Sequence, residues 1–416
     1  MDSDHLEHGP WWTDDWFVSP WNYPPAARPP EDAPKKLVLH DATLRDGEQT
    51  PGVVLGRDDK LKIAQLLDAA GVDRIEAGMP AVSEDDYAAI AMIAEARPRA
   101  KVFAFARAMG ADIDLCVKSG ADGVVLEVPA GYLRLKYQYR WSEDDVIQRS
   151  LEAVAHAKAA GLEVVFFPFD AARASEPFYE ELVGRVWTEA KPDSVCVVDT
   201  VGATMPDALA LLIRRVRTIV DGPVEVHTHN DFGMAVAASL AAVSAGAEVV
   251  HVCVNGLGER TGNAPLEEVA IAARILMGIE TSIDYTALKE LSRTVEDLTG
   301  VRLAHNKPVV GADAFAREIG LGVDLVHTQQ RTVFPFVPRF VGQEPRVVIG
   351  KKSGIRSIGM KLEDWGLEAT EDQQRAMLAE VKSFAIEHRR PLTDDEVRTI
   401  YAQITDGDDQ VAPRSA

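Results

Sequence analysis

Residues 36–70 read KLVLHDATLRDGEQTPGVVLGRDDKLKIAQLLDAA. An apolar, β-branched run at 36–40 gives way to a polar cluster from Asp41 to Gln49. Apolar residues at helical spacing then fill 58–70. This is one strand–loop–helix unit with its charged groups at the C-terminal end of the strand. The unit recurs along the chain. Strand-like runs stand at 74–77, 101–106, 123–128, 163–168, 194–198, 224–228 and 248–254, and helix-like segments such as 84–96, 143–160 and 235–245 follow them. Eight such units over about 240 residues predict an α/β fold, a (β/α)₈ TIM barrel. A doubly wound open sheet is the alternative. It usually has fewer strands, and no Gly-rich dinucleotide fingerprint follows the first strand here.

The chain of 416 residues is longer than one barrel needs. Residues 1–34 form a Trp- and Pro-rich arm, 35–280 the barrel, 281–405 small α-rich post-barrel subdomains and 406–416 a frayed tail. The arm carries Trp11, Trp12, Trp16 and Trp21. Its prolines resist regular structure, yet clustered Trp avoids water, so the arm is expected to pack on its own barrel or on a partner subunit. Beyond the barrel, 283–298 and 372–388 read as amphipathic helices, with a Gly/Pro/Val-rich stretch at 307–354 between them. The formal net charge of −21 argues against nucleic acid as a partner. No apolar run is long enough to cross a bilayer. Cys116, Cys196 and Cys253 each lie in an apolar pattern, which fits buried, reduced thiols and a cytoplasmic location.

Active sites of such barrels sit at the C-terminal ends of the strands, and polar groups gather there. Glu76 ends strand two, Arg107 follows strand three and Glu127 ends strand four. Asp170 and Arg173 follow strand five, and Asp199 and Thr200 close strand six. His227 and His229 close strand seven, and two residues apart on a strand they point to the same side. Two imidazoles and a carboxylate such as Asp46 make a three-ligand set with open positions for Mg²⁺, Mn²⁺ or Zn²⁺. Alone, Asp46 in its turn would serve equally as a helix cap. Asn263 lies in a loop that can reach the same metal, directly or through water, and Asn230 and Asp231 could orient the histidines. Arg45, adjacent to a ligand, can grip a carboxylate or stabilise an oxyanion, or else pair with Glu76 or Glu48. Arg45, Glu76 and Glu259 are the candidate catalytic groups. Arg45, Gln49, Thr200 and Arg173 are the candidate substrate-binding groups, although a turn hydroxyl suits Thr200 and a surface ion pair suits Arg173. The loop after strand eight, with Gly256, Gly258 and Gly262, suits a lid or a close approach to an anion. Asn255 and Glu259 are its polar groups nearest the expected site. His251 is expected to be packed inside strand eight.

Three segments resemble the signatures of the DRE-TIM metallolyases: DATLRDGEQ from Asp41 to Gln49, HTHND from His227 to Asp231, and NGLGERTGN from Asn255 to Asn263. Within that superfamily the chain is similar to the 2-isopropylmalate, homocitrate and citramalate synthases. The post-barrel segments NKPVVG from Asn306 to Gly311 and GKKSG from Gly350 to Gly354 add to the likeness. The resemblance implies a divalent metal, a homodimer, and a Claisen-type condensation of acetyl-CoA with a 2-oxo acid to a 2-substituted malate. It implies Asp46, His227 and His229 as ligands, with Asn263 at or near the metal. Arg45 would face the developing alkoxide, and Thr200 would contact the 2-oxo acid carboxylate.

The chain also departs from those synthases. Where they usually carry two histidines after the Asn-Lys-Pro motif, residues 317–322 read REIGLG, so Arg317 and Gly322 stand in their places. His327 is a nearby substitute, and Arg317 could bind an extra anionic group. Phe169-Asp170 replaces the usual Glu-Asp after strand five, and the polar stretch usual after strand four reads EVPAG at 127–131. These changes predict a non-standard acceptor. The competing expectations are C–C cleavage of the 3-hydroxy-3-methylglutaryl-CoA lyase or aldolase type, and a non-catalytic scaffold.

Overall fold

The computed structural model describes residues 7–31 and 33–409, with side chains to residue 405. Contacts divide the chain into two compact units. One is built on Ser19–Leu303 with the segment ending at Trp11. The other comprises Trp12–Val18 and the chain from Ala304 onward.

The first unit is a closed, parallel, eight-stranded barrel. Its strands are β1 (Val38–Asp41), β2 (Arg74–Glu76), β3 (Lys101–Arg107), β4 (Gly123–Pro129), β5 (Glu163–Phe169), β6 (Ser194–Asp199), β7 (Val224–Thr228) and β8 (Val249–Val252). β8 pairs with β1 through Val249 to Val252, which closes the ring. The helices are α1 (Arg57–Ala69), α2 (Glu84–Glu95), α3 (Gly110–Lys118), α4 (Glu143–Ala159), α5 (Glu176–Arg185), α6 (Pro206–Arg217), α7 (Ala235–Ser244), α8 (Leu266–Ala272) and α9 (Leu288–Thr299). Strands covered by helices on one face and by each other's side chains on the other are buried on both. All six residues of β6 are buried. The start of α4 is fixed by a capping box: Asp145 N–H donates to Ser142 Oγ at 3.1 Å, and Ser142 N–H donates to Asp145 Oδ2 at 2.9 Å.

Phe103, Phe105, Val125, Val165, Phe167, Cys196 and Val198, from four strands, pack together inside the barrel. A buried polar layer joins them. The rings of His40 and His251 stack at 4.1 Å and 7°. His40 Nε2 lies 3.1 Å from Glu76 Oε2, and His251 Nε2 lies 2.7 Å from Glu225 Oε2. Arg74 donates to Glu225 at 2.7 Å. His251 is packed in its strand, as its position predicts, but as part of a charged network and not among hydrocarbon alone.

β8 is shorter than the expected 248–254. Cys253 bonds out of the sheet to the loop residue Ala264, and Asn255 turns the chain at φ 63°. Asn255 does not enter the site. Its amide exchanges bonds with Ser292 of α9, donating at 2.9 Å to the carbonyl and accepting at 2.5 Å from the hydroxyl. That contact, with the packing of α9 on α1, places α9 in the barrel unit. The division between the units therefore falls after Leu303, where the sequence suggested residue 281.

The second unit holds a two-stranded parallel pair, β9 (Ala316–Arg317) and β10 (Arg346–Val347), and four helices: α10 (Leu325–Thr328), α11 (Ile355–Trp365), α12 (Glu371–His388) and α13 (Asp394–Asp409). The expected tail at 406–416 begins inside α13, and residues 410–416 lie outside the described residues. The arm does not pack as a whole on the barrel. Trp12–Val18 belongs to this second unit because aromatic partners await it there. Trp16 meets Phe340 edge to face at 5.6 Å, and Arg331 lies 4.5 Å over the Trp12 ring. Phe17 N–H donates to Pro335 O at 3.1 Å, and Val337 N–H donates to Asp15 O at 2.8 Å. Trp11 and Tyr23 stay with the barrel unit, where Tyr23 Oη donates to Ile275 O at 2.6 Å. Trp21 is 82% exposed.

Candidate active site

The turn after β1 carries the first half of the site. Asp41 fixes it by accepting from Thr43 N–H at 2.9 Å and Thr43 Oγ1 at 3.0 Å. Gly47 N–H returns to Ala42 O at 3.0 Å, which points Asp46 inward. Burial pushes the Asp41 carboxyl up to about 7 despite those bonds. The second half comes from the end of β7. Asp46 Oδ2 lies 3.5 Å from His227 Nε2 and 3.8 Å from His229 Nε2, and the two Nε2 atoms are 3.2 Å apart. All three residues are at most 5% exposed.

These donors fit a divalent cation. One carboxylate and two imidazole nitrogens converge within 4.8 Å of one another. Burial, and then the neighbouring His229, hold His227 well below its ordinary value, so its ring is neutral and offers a lone pair. Burial lowers His229 too. Asn263 Nδ2 donates to Asp46 Oδ1 at 2.9 Å and to Leu257 O at 2.9 Å, while its Oδ1 is buried without a described partner. Gly258 makes this approach possible. A Cβ there, at φ 146°, would lie 2.2 Å from Asn263 Nδ2 and 3.0 Å from Asp46 Oδ1. Asn230 and Asp231 do not orient the histidines. Asn230 Oδ1 accepts from Ala235 N–H at 3.1 Å, and Asp231 pairs with Arg260 at 2.9 Å.

Arg45 lies against this triad. Nη1 donates to Asp46 Oδ2 at 2.8 Å, Nε donates to Glu76 Oε1, and the guanidinium lies 4.1 Å over the Phe105 ring. Its Nη2 is buried with no partner among the described residues. Glu76 is fully buried between Arg45 and His40. Burial works against its ionisation, but Arg45 and His40 overcome it and hold the carboxyl down to about 2. The pairing of Arg45 with Glu76 is observed, and it leaves Nη2 without a partner among the described residues.

The other expected residues lie apart from the triad's donor atoms. Thr200 Oγ1 accepts from Asp170 N–H at 2.7 Å. Arg173 grips Asp170 with two bonds, at 2.7 and 2.8 Å. Glu259 is exposed and pairs with Arg260 at 3.2 Å. Gln49 is exposed on the turn after β1. In the second unit Arg317 Nη2 donates to Leu321 O at 2.9 Å, and His327 is exposed on α10. Sequence reasoning does not single out Arg134, whose buried Nε lies 3.9 Å from Asp170 Oδ2 and makes no hydrogen bond. It assigned no role to Glu127, whose alternation with Val125 on β4 was the available signal.

A profile of HMGL-like proteins matches residues 36–295, and one described as homocitrate synthase post-HMGL domain-like matches residues 309–389. The homocitrate synthase AksA of Methanopyrus kandleri is 40% identical over 90% of this chain and 94% of its own length. A probable 2-isopropylmalate synthase of the same organism is 44% identical, covering 84% of this chain and 70% of its own. The (R)-citramalate synthase CimA of Methanocaldococcus jannaschii is 40% identical, covering 88% and 74%. Among solved structures, hydroxymethylglutaryl-CoA lyase from Pseudomonas aeruginosa superposes with a TM-score of 0.59 at 23% identity, over 65% of this chain and 95% of that one, a likeness of fold.

Proposed function

We propose, for a chain that belongs to the HMGL-like family of DRE-TIM metallolyases, an acyltransferase reaction: the metal-dependent Claisen condensation of acetyl-CoA with a 2-oxo acid to a 2-substituted malate. The observation that carries this reading is the convergence of Asp46, His227 and His229 beside an arginine with one unspent donor. The post-barrel domain and the synthase relatives support it.

Asp46, His227 and His229 would hold the divalent metal, with Asn263 positioning Asp46. When bound, such an ion polarises the ketone of a 2-oxo acid. Arg45 Nη2 donates to the oxygen on which negative charge develops, and Glu76 holds the guanidinium in place for that task. Thr200 keeps its hydroxyl proton free while accepting from Asp170, so it can donate to the acceptor's carboxylate. Arg173 is spent on Asp170 and acts by fixing that loop. The residues at 317 and 322 differ from the usual histidines, which supports an acceptor outside the common set. The reading extends to a homodimer, and to a reducing cytoplasm that three buried free cysteines support. No helix among the described residues is long and apolar enough to cross a membrane.

The test is release of CoA thiol from acetyl-CoA with Mg²⁺, Mn²⁺ or Zn²⁺ against 2-oxoisovalerate, 2-oxoglutarate, pyruvate, oxaloacetate and phosphonopyruvate. Release that depends on one acceptor supports the condensation. Silence across the panel, with cleavage of 3-hydroxy-3-methylglutaryl-CoA instead, would sink it.

A further inference from the structure

On β4, Val125 packs inside the barrel with Phe105 and Phe167. Glu127, two residues on, faces the same interior one layer nearer the mouth. Its neighbours in register are Arg107 on β3 and Phe167 on β5. The side chain is partly buried, yet its carboxylate makes no hydrogen bond and no ion pair to any described residue. The nearby cations are committed elsewhere. Arg107 turns to Asp112 at 2.7 and 3.1 Å, Arg134 leans to Asp170, and Arg45 is held by Glu76 and Asp46. An unpartnered carboxylate at the edge of a core is costly, and sites of chemistry are where such cost is tolerated.

The groups that face Glu127 are Arg45 from the turn after β1, Arg107 and Asp112 from β3 and α3, and Arg134 and Tyr139 from the segment after β4. Burial dominates and raises its carboxyl above the ordinary value, Arg45 and Arg107 oppose, and Asp112 adds to the rise. A carboxylate so desolvated is a stronger base than one in water. Across the mouth, Arg45 Nη2 is the complementary open donor.

We propose that Glu127 is the general base that takes the methyl proton of the acetyl thioester, an assignment that rests on the condensation reading. The methyl C–H bond breaks, its proton goes to a Glu127 oxygen, and its electron pair forms the enolate. The enolate carbon bonds to the ketone carbon of the 2-oxo acid. The resulting alkoxide faces Arg45 and recovers the proton from Glu127 as a hydroxyl. Water then hydrolyses the thioester, giving the second carboxylate, CoA thiol and a released proton.

The experiment compares the full-length wild type with Glu127→Gln and Glu127→Asp, using the acceptor that supports wild-type CoA release. Glu127→Gln is expected to lower kcat by about 10²–10⁴-fold. The acceptor KM should stay within about threefold, Mn²⁺ affinity should be unchanged, and the thermal midpoint should not fall. Glu127→Asp is expected to restore part of the rate and to raise the isotope effect with trideuteroacetyl-CoA, because proton removal becomes slower. The acid limb of the wild-type pH–kcat profile should be absent from Glu127→Gln. A Glu127→Gln enzyme with kcat within about threefold of wild type, or with its loss confined to KM, overturns the assignment and leaves the condensation standing. If Glu127→Gln does not fold, a Glu127→Asp enzyme with wild-type rate and isotope effect overturns it equally. A wild type silent with every acceptor takes down the condensation reading and this assignment with it.

Discussion

At the scale of single residues, the site depends on three donor atoms and on what keeps them aimed. Asp46→Ala or His229→Ala should lower turnover at least 10³-fold and weaken Mn²⁺ binding by 10-fold or more, measured by titration followed by EPR, with the far-UV circular dichroism unchanged. Wild-type turnover in either variant would remove these residues from the site. The polar layer beneath makes a pH prediction. Burial and the stacked His251 depress His40 to about 4, so its stabilising contribution is full above its unfolded value of 6.5 and is lost as pH falls toward 4. Asp41, raised to about 7 from 3.8, has the opposite sign: its contribution is full at low pH and is lost as pH rises through 7. The two oppose between about pH 4 and 6.5. Glu76, lowered from 4.5 to about 2, then dominates, and stability falls as pH drops below 4.5. His227 and His229, also lowered, act with His40, so urea midpoints of the metal-free protein should fall as pH drops from 6.5 and fall further below 4.5. In His40→Gln, with one of three histidines gone, the fall between pH 6.5 and 4.5 should be shallower than in the wild type. An unchanged slope in that variant would refute the account.

At the scale of elements, strands and most helices were legible because each repeats a simple pattern, and β7 runs from Val224 to Thr228 as its sequence reads. The convergence of Asp46, His227 and His229 was equally legible, since a His-x-His pair at a strand end and an Asp in a tight turn depend only on strand spacing and barrel geometry. The loop after β8 was less so. Its glycines suit a lid or a close approach to an anion, and the structure shows them in close packing. Gly258 N–H bonds Thr50 Oγ1 at 2.8 Å, and a Cβ on Gly262 would lie 1.8 Å from Gly256 O. Asn255 was misjudged for a related reason: its partner, Ser292, lies 37 residues away, and no local pattern announces that contact. Gly258→Ala should therefore act on the metal site. The expected loss of Mn²⁺ affinity is about 10–100-fold, since the new methyl group displaces Asn263 from Asp46. Unchanged affinity would show that the loop is freer than its contacts imply.

At the scale of the whole molecule, the alternation of strands and helices sufficed to specify a barrel, while the arm defeated sequence reasoning. Trp12 and Trp16 ask for cover, but nothing near them in sequence says where it lies. Phe340, which covers Trp16, belongs to a segment that reads as loop. Trp16→Ala should lower the thermal midpoint of the second unit by several degrees, seen by differential scanning calorimetry, with metal binding by the barrel unaltered. Loss of Mn²⁺ binding in that variant would contradict the division into units. Thr13 and Asp15 meet Arg331 and Arg339 across separations of 318 and 324 residues. A ribosome adding about 5–20 residues per second needs on the order of tens of seconds to supply those partners. A segment made well before its partners is thus housed only once they emerge. During synthesis its tryptophans are open to chaperones, to proteases and to the arms of sibling chains on the same message, while the barrel between them can already have closed.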